Sequence, residues 1–440
     1  MQVSVETTSE LSRKMTVQVP EEKIQEKIAS RLRSLANEVK IDGFRPGKVP
    51  QGLVKKRYGQ QVREEVLSDL IQSSFYEAVR EEKLKPAGMP QITARRVDEG
   101  NGLEYEASFE VMPEFVLMPL ETLEVRRFVS EVNEQDLDAM IERLREQRKT
   151  WQEVGRAAAV GDRVTISFEG KIGEESFTDG KVENLAVVLG ANQMIPGFED
   201  KLAGATAGST LDFELSFPAD YPNQKLAGNA AQFAVEMLKV EEGVLPEVDA
   251  EFAKSYGIED GGVEAFRNDI RANMEREMKR ALQTRTKTSV MDALFTKNTI
   301  ALPNALIQDE LEHLLTPYRE AAQKRRQNLD QAKLKEQLEP LARRRVALAL
   351  ILGKVIETNN LVADQKRVRS TIEDLAMSYE NTEEVVRWYY AERERLREVE
   401  NVVMEDQVVD LVLEKAKATE EKVAFQELMQ QATGSSSQAA

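Results

Sequence analysis

The sequence predicts a multi-domain α+β protein with three differently built regions, and three observations carry that prediction. The chain has 440 residues, which at roughly 150 residues per domain gives about three cores. Its apolar spacing changes along the chain, from a mixture of periods to strict alternation and then to almost pure helical spacing. Glycine is dense between Gly161 and Gly243 and sparse afterwards, so the middle region is rich in turns.

Residues 1–112 begin with Met15, Val17 and Val19 alternating as in a half-buried strand. Pro20 opens a helix that carries Ile24, Ile28, Leu32 and Leu35 on one face. A Gly/Pro-punctuated stretch, Gly43 to Gly52, separates it from a second helix with Val62, Val66, Leu70 and Phe75. Asn101-Gly102 is a hairpin signal, and Leu103, Tyr105, Ala107, Phe109 and Val111 alternate behind it. Strands and helices together make an α+β domain. Residues 113–149 read as a connector with one helix, N-capped by Asn133 with Asp136 near its positive end. Leu137, Met140, Ile141 and Leu144 give that helix a single apolar face, as expected of a partly exposed element between domains.

Residues 150–245 alternate at Val164, Ile166 and Phe168, at Leu211, Phe213, Leu215 and Phe217, and at Phe233, Val235 and Met237. That pattern predicts a compact, mostly antiparallel β domain. Residues 246–432 return almost wholly to helical spacing. Val263, Phe266, Ile270 and Met274 share one face; Leu311, Leu314 and Leu315, Val346, Leu350 and Ile351, and Leu396, Val399 and Val403 mark others. Pro303, Pro317 and Pro340 are expected to break or start helices, dividing this all-α region into several. Residues 433–440 offer no large apolar side chain and are expected to be a disordered tail.

Composition excludes several kinds of chemistry. Sixty Lys and Arg against 77 Asp and Glu leave a net charge of −17, which argues against a chain held mainly to nucleic acid by phosphate neutralisation. A local basic patch stays compatible with that balance. Cysteine is absent, so no thiolate nucleophile or disulfide framework exists. The single histidine, His313, lies at helical spacing beside Leu311 and Leu314 and reads as structural or solvent-facing. Paired acids such as Glu383 and Glu384 or Glu420 and Glu421 read as solvated helix faces. Neither a Walker-type nor a dinucleotide fingerprint occurs, so no cofactor is expected, and no metal site. The N-terminus lacks a signal-peptide pattern and no long apolar run exists; the expectation is a cytoplasmic protein with no membrane partner.

The most unusual piece of the first domain is Gly43 to Pro50, GFRPGKVP, set between two amphipathic helices. Phe44 sits at the tip, ringed by Lys40, Arg45, Lys48, Lys55, Lys56 and Arg57 with only Asp42 opposing them. An apolar wedge among cations suits a surface that offers both an apolar pocket and negative charge, as a ribonucleoprotein does. On pattern alone a turn whose Phe44 folds back onto its own domain fits equally.

The octet resembles the ribosome-docking signature G-F-R-x-G-x-x-P of the trigger factor family, bacterial chaperones of the exit tunnel. Gly43, Phe44, Arg45, Gly47 and Pro50 match it, and Pro46 stands where many members carry lysine. The resemblance implies docking through Gly43, Phe44, Arg45, Pro46, Gly47, Lys48 and Pro50 onto a protein of the large ribosomal subunit and adjacent ribosomal RNA. The β region is similar to FKBP-type peptidyl-prolyl isomerases over VTISFEGKI, ESFTDG, LAVVLG, MIPGFEDKLAGATAG and AQFAVEMLKV. That resemblance implies an FKBP-like fold with a short helix, and a proline-binding pocket of Phe168, Phe177, Met194, Ile195, Phe198, Tyr221 and Phe233. Phe168, Thr178 and Phe198 stand where many single-domain members have tyrosine, aspartate and tryptophan. Phe213 and Phe217 read as β-domain core.

Prolyl isomerisation needs no nucleophile, metal or proton transfer. Its barrier of ~18–20 kcal/mol is amide resonance. The twisted amide has lost charge separation, so a water-poor aromatic pocket penalises it less than the planar form. By family analogy the Ile195 N–H would hold the carbonyl preceding proline. The helical region resembles the arms and back of the trigger factor family, with scattered apolar patches amid charge for weak, promiscuous contact with unfolded chains. The resemblance implies an ATP-independent, ribosome-associated chaperone for nascent polypeptides with isomerase activity, weakly homodimeric off the ribosome. A free-standing isomerase whose helices serve oligomerisation or act as an adaptor is the alternative.

Overall fold

The structure, a computed structural model, describes residues 1–39, 50–96, 100, 102–173, 175–178, 180–377, 379 and 381–438. Packing divides the chain into two compact units, 1–128 with 284–421 and 129–283 with 422–440. The first unit opens with strands β1 (Gln2–Thr7) and β2 (Ser12–Val19), then helices α1 (Glu21–Glu38) and α2 (Gln51–Glu81), then β3 (Gln91–Arg96) and β4 (Leu103–Glu110). The four strands form an antiparallel sheet in the order β1-β2-β4-β3. Alternation puts Met15, Val17 and Val19 of β2, and Leu103, Tyr105, Ala107 and Phe109 of β4, into one core with the apolar faces of α1 and α2. Tyr105 is fully buried, and its hydroxyl is satisfied by the Ser74 hydroxyl at 2.9 Å and the Ile71 carbonyl at 3.2 Å.

Past a 3₁₀ turn at Leu120–Thr122 comes β5 (Glu124–Val129). The second unit begins with α3 (Glu134–Gln147), whose Asn133 and Asp136 form a reciprocal capping box. Its β part comprises β6 (Thr150–Glu153), β7 (Arg163–Ile172), β8 (Glu175–Ser176), β9 (Val182–Val188), the short helix α4 (Phe198–Leu202), β10 (Thr210–Ser216) and β11 (Ala230–Val244). The antiparallel sheet runs β10-β11-β7-β8, with β6 on β11 and β9 on β7. Leu137 and Ile141 of α3 are buried with Phe252 of α5 (Ala250–Ser255), with Phe266, Ile270 and Met274 of α6 (Gly262–Lys297), and with Phe425. One face of the predicted connector helix is therefore core.

The remaining helices are α7 (Asn304–Arg325), α8 (Gln331–Asn359), α9 (Gln365–Ala376), α10 (Thr382–Ala391) and α11 (Arg393–Lys415), followed by β12 (Lys417–Lys422) and α12 (Phe425–Gln438). Glu110 at the end of β4 accepts from the Ala305 N–H at 2.9 Å and the Asn304 side chain at 3.3 Å, capping α7 in place of its own Pro303. Among the described residues no helix is long and apolar enough to cross a membrane.

Three expectations need correction. Pro303 starts α7, but Pro317 and Pro340 lie inside α7 and α8 and break neither. An interior proline costs about 3 kcal/mol, and the apolar seam of Ile307 and Leu311 against Leu338, Ala342 and Val346 outweighs it. The region after Pro246 is not wholly helical, because β12 pairs with β5 in a two-stranded sheet that the sequence reading lacked. Residues 433–438 of the expected tail belong to α12, while 439 and 440 lie outside the described residues.

The α7–α8 pair also carries an ionic strap. Glu312 bonds Arg319 at 2.6 Å and Lys335 at 2.9 Å, which pulls its carboxyl from 4.5 down to about 2, Arg319 contributing most. The group is about half exposed, so solvent screening keeps its contribution to stability small. That contribution is present above the ordinary carboxylate pKa and lost as pH falls from there toward 2. Carboxyl NMR should show Glu312 titrating near pH 2 and returning toward the ordinary range in Lys335→Met. An unchanged midpoint in that variant would dissociate Lys335 from the strap.

Candidate active site and docking segment

The β part of the second unit contains a cavity of about 360 Å³. Phe168 reaches it from β7, Phe177 from the turn after β8, and Phe233 from β11. Phe198 is the first residue of α4, Met194 and Ile195 lie on the loop before it, and Tyr221 follows β10. All seven residues line this one cavity, together with Gln193, Pro196, Phe217 and Pro218.

Local sequence explains why they meet. Antiparallel pairing sets Phe168 opposite Val235 and Phe233 opposite Gly170. Gly170 has to be glycine, because a Cβ there would overlap the Phe177 ring, which lies against its backbone. The Phe177 N–H donates to the Gly170 carbonyl at 3.1 Å and holds the turn in that position. Gly197 adopts φ +85°, a left-handed conformation favouring glycine, and turns the pocket loop into α4 so that Phe198 points inward.

Phe168, Phe198, Phe217 and Phe233 are buried, whereas Phe177, Met194, Ile195 and Tyr221 are half-buried and form the rim. The rings meet edge to face: Phe198 and Phe233 at 5.3 Å and 82°, Phe177 and Phe233 at 5.7 Å and 75°, Phe177 and Phe217 at 5.4 Å and 83°. Such pairs add about 0.5–1.5 kcal/mol each beyond area burial and fix the shape of the cavity. Among the described residues no charged side chain lines it; Gln193 and the Tyr221 hydroxyl are their polar contributions. Among the described residues no group of three or more His, Cys, Asp or Glu side chains could hold a metal ion.

Sequence reasoning missed two features. Phe217, read as core, is both buried and pocket-lining; alternation says which way a ring points, not where the core opens. Glu199 is the second. Its carboxylate is buried under the 190–194 loop and accepts four backbone N–H groups. Burial pushes this carboxyl up, but those four donors outweigh it and hold the pKa below the ordinary carboxylate range. In sequence it is indistinguishable from an acid complementing a helix start.

Of the expected docking residues, Gly43, Phe44, Arg45, Pro46, Gly47 and Lys48 lie outside the described residues. Pro50 is described and forms the N-cap of α2. The first turns of α2 expose Lys55, Lys56 and Arg57, with no acid in the first turn. Lys55, Lys56 and Arg57 stand in the second turn of α2, past the first turn where the helix dipole acts most strongly. His313 is exposed on α7.

Comparison with known proteins covers the regions that carry both motifs. Residues 1–144 match the family profile described as bacterial trigger factor protein, residues 262–414 that of its C-terminus, and residues 155–238 that of FKBP-type peptidyl-prolyl cis-trans isomerase. The chain is 44% identical over 433 residues to trigger factor of Stutzerimonas stutzeri, covering 98% of this chain and 99% of that one. Identity to the Azotobacter vinelandii trigger factor is 44% over 433 residues, with 98% and 99% covered, and to that of Thioalkalivibrio sulfidiphilus 45% over 431 residues, with 98% of each covered. A solved trigger factor chaperone structure aligns with TM-score 0.50 over 94% of this chain and 100% of that one, at 18% identity, a likeness of fold. Near-complete coverage at this identity, on a fold that joins an FKBP-type domain to helical and α+β parts, shows that the chain belongs to the trigger factor family of ribosome-associated chaperones with peptidyl-prolyl isomerase activity.

Proposed function

We propose that the 360 Å³ aromatic cavity is the isomerase site and that the Gly43–Pro50 segment is the ribosome anchor. The observation that carries the first assignment is the convergence of Phe168, Phe177, Met194, Ile195, Phe198, Tyr221 and Phe233 on one aromatic pocket. A prolyl ring enters among Phe198, Phe233 and Phe168, and the amide before it twists in a setting that penalises its planar, charge-separated form. The Ile195 N–H holds the carbonyl preceding proline; among the described residues it donates to no other acceptor. Uncatalysed exchange takes tens to hundreds of seconds, so even modest acceleration matters to a folding chain.

The anchor assignment is supported by the motif and by the exposed cations of α2, which suit phosphate and so contact with ribosomal RNA beside a large-subunit protein. Weak homodimerisation off the ribosome and a cytoplasmic location belong to this reading through the family alone. The working parts divide as a docking domain 1–112, a connector 113–149, the isomerase 150–245 and a helical client-binding region 246–432. Support for client binding comes from α10, which has no buried residue, exposes its own Trp388 and Tyr390, and follows exposed Met377 and Tyr379 in the chain. A second, larger groove of about 600 Å³ in the second unit, lined by Met140, Phe266, Met274, Phe425 and Met429, suits adaptable apolar contact. Unlike the smaller cavity it is bordered by the charged side chains of Asp136, Arg143, Asp269 and Glu277, and it is assigned to holding rather than isomerisation.

Phe198→Leu keeps an apolar residue of similar volume in the core and should lower kcat/KM on a proline tetrapeptide by at least about tenfold, as should Phe177→Ala. Wild-type turnover in both would remove the cavity from the mechanism. In ribosome co-sedimentation, wild-type protein should pellet at modest salt and progressively less at high salt. Phe44→Ala with Arg45→Ala should stay in the supernatant at all salts, and Lys55→Glu with Lys56→Glu should flatten the salt dependence. Equal pelleting of wild type and variants would place the anchor elsewhere.

A further inference from the structure

Glu199 is the second residue of α4, directly after Phe198, and it is 8% exposed. Its Oε2 accepts from Gly190 N–H at 2.8 Å and Asn192 N–H at 3.0 Å; its Oε1 accepts from Gln193 N–H at 2.7 Å and Met194 N–H at 3.2 Å. One side chain thus fixes the backbone of the loop that leads into the pocket. Gly190 and Asn192 hold φ of +90° and +54°, so the loop is tightly folded around this carboxylate.

We propose that Glu199 is a positioning residue for prolyl isomerisation, setting the Met194 and Ile195 rim and the direction of the Ile195 N–H. This rests on the cavity being the isomerase site. The loop has five N–H groups close together, at residues 190, 192, 193, 194 and 195. The carboxylate engages the first four, and among the described residues Ile195 is left without an acceptor. A buried carboxylate is costly unless fully hydrogen-bonded, and a neutral side chain would fill the same space without that cost. What only a carboxylate does is accept on both oxygens. An amide of the same shape presents NH2 to one pair of donors, so either Gly190 and Asn192 or Gln193 and Met194 lose their acceptor. The loop then relaxes at the rim while the rings beneath it stay packed. Glu199 touches no substrate; it acts through the backbone it holds.

The test uses the full-length protein with Glu199→Gln, Glu199→Asp and, as the pocket control, Phe198→Leu. The readouts are kcat and KM on a proline tetrapeptide and the amide NMR signals of the β domain. Glu199→Gln should lose at least about tenfold in kcat/KM, with displaced amide signals at residues 190–195 and the remaining signals of the domain in place. Glu199→Asp keeps the charge on a shorter stem and should recover part of the rate. Wild-type kinetics in Glu199→Gln, with activity lost in Phe198→Leu, would overturn the positioning role and leave the pocket assignment standing. Wild-type kinetics in Phe198→Leu would overturn both. If Glu199→Gln fails to fold, Glu199→Asp decides: lowered turnover with displaced loop amides supports the role, and full turnover despite displaced amides overturns it.

Discussion

Phe233 is the ring on which the β domain turns. It packs against Phe168, Phe177, Phe198, Phe213 and Phe217, with centroids 5.3–6.3 Å away. Phe213 stacks on it at 28°, while Phe177 and Phe198 meet it nearly at right angles. The same ring belongs to the hydrophobic core and lines the cavity, so core and proposed site are one aromatic cluster with an opening. Packing that holds the sheet together therefore also sets the width of the pocket. The pocket needs no loop closure to assemble its floor.

This arrangement matches the demands of the chemistry. Rotation about a prolyl bond moves no proton and forms no bond, so what matters is the polarity of the surroundings and the grip on the flanking carbonyl. Charge is kept at the margin: the nearby carboxylate, Glu199, points into the backbone beneath the loop. In the N-terminal part the design is reversed. Lys55, Lys56 and Arg57 stay exposed in the second turn of α2. The two ends of the chain's chemistry thus use opposite solvents, one excluding charge and one displaying it.

Much of this was legible in the sequence, for identifiable reasons. Strict alternation marked β2, β4, β7, β10 and β11, because their apolar side chains fall on the more covered face. Strand β12, KATEEK, has no large apolar side chain and is held by backbone pairing to β5, which the Lys417 N–H to Leu123 carbonyl bond of 2.9 Å extends by one residue, so no periodicity could reveal it. Pro317 and Pro340 misled because local propensity yields to a long packed seam. The seven pocket residues were assembled by family resemblance; periodicity alone placed Phe168 and Phe233 on strands without saying that they face a cavity. Glu199 left no signal because its role depends on where a loop's N–H groups point.

Competition between the two apolar hollows of the second unit gives the most direct test of the account. A full-length sample with labelled phenylalanine and tyrosine rings, titrated with a proline tetrapeptide, reports on both at once by NMR. The account predicts that Phe168, Phe177, Phe198, Tyr221 and Phe233 shift together and broaden from cis/trans exchange on the protein, while Phe266 and Phe425 stay put. Shifts confined to Phe266 and Phe425, with the five-ring signals unmoved, would contradict it.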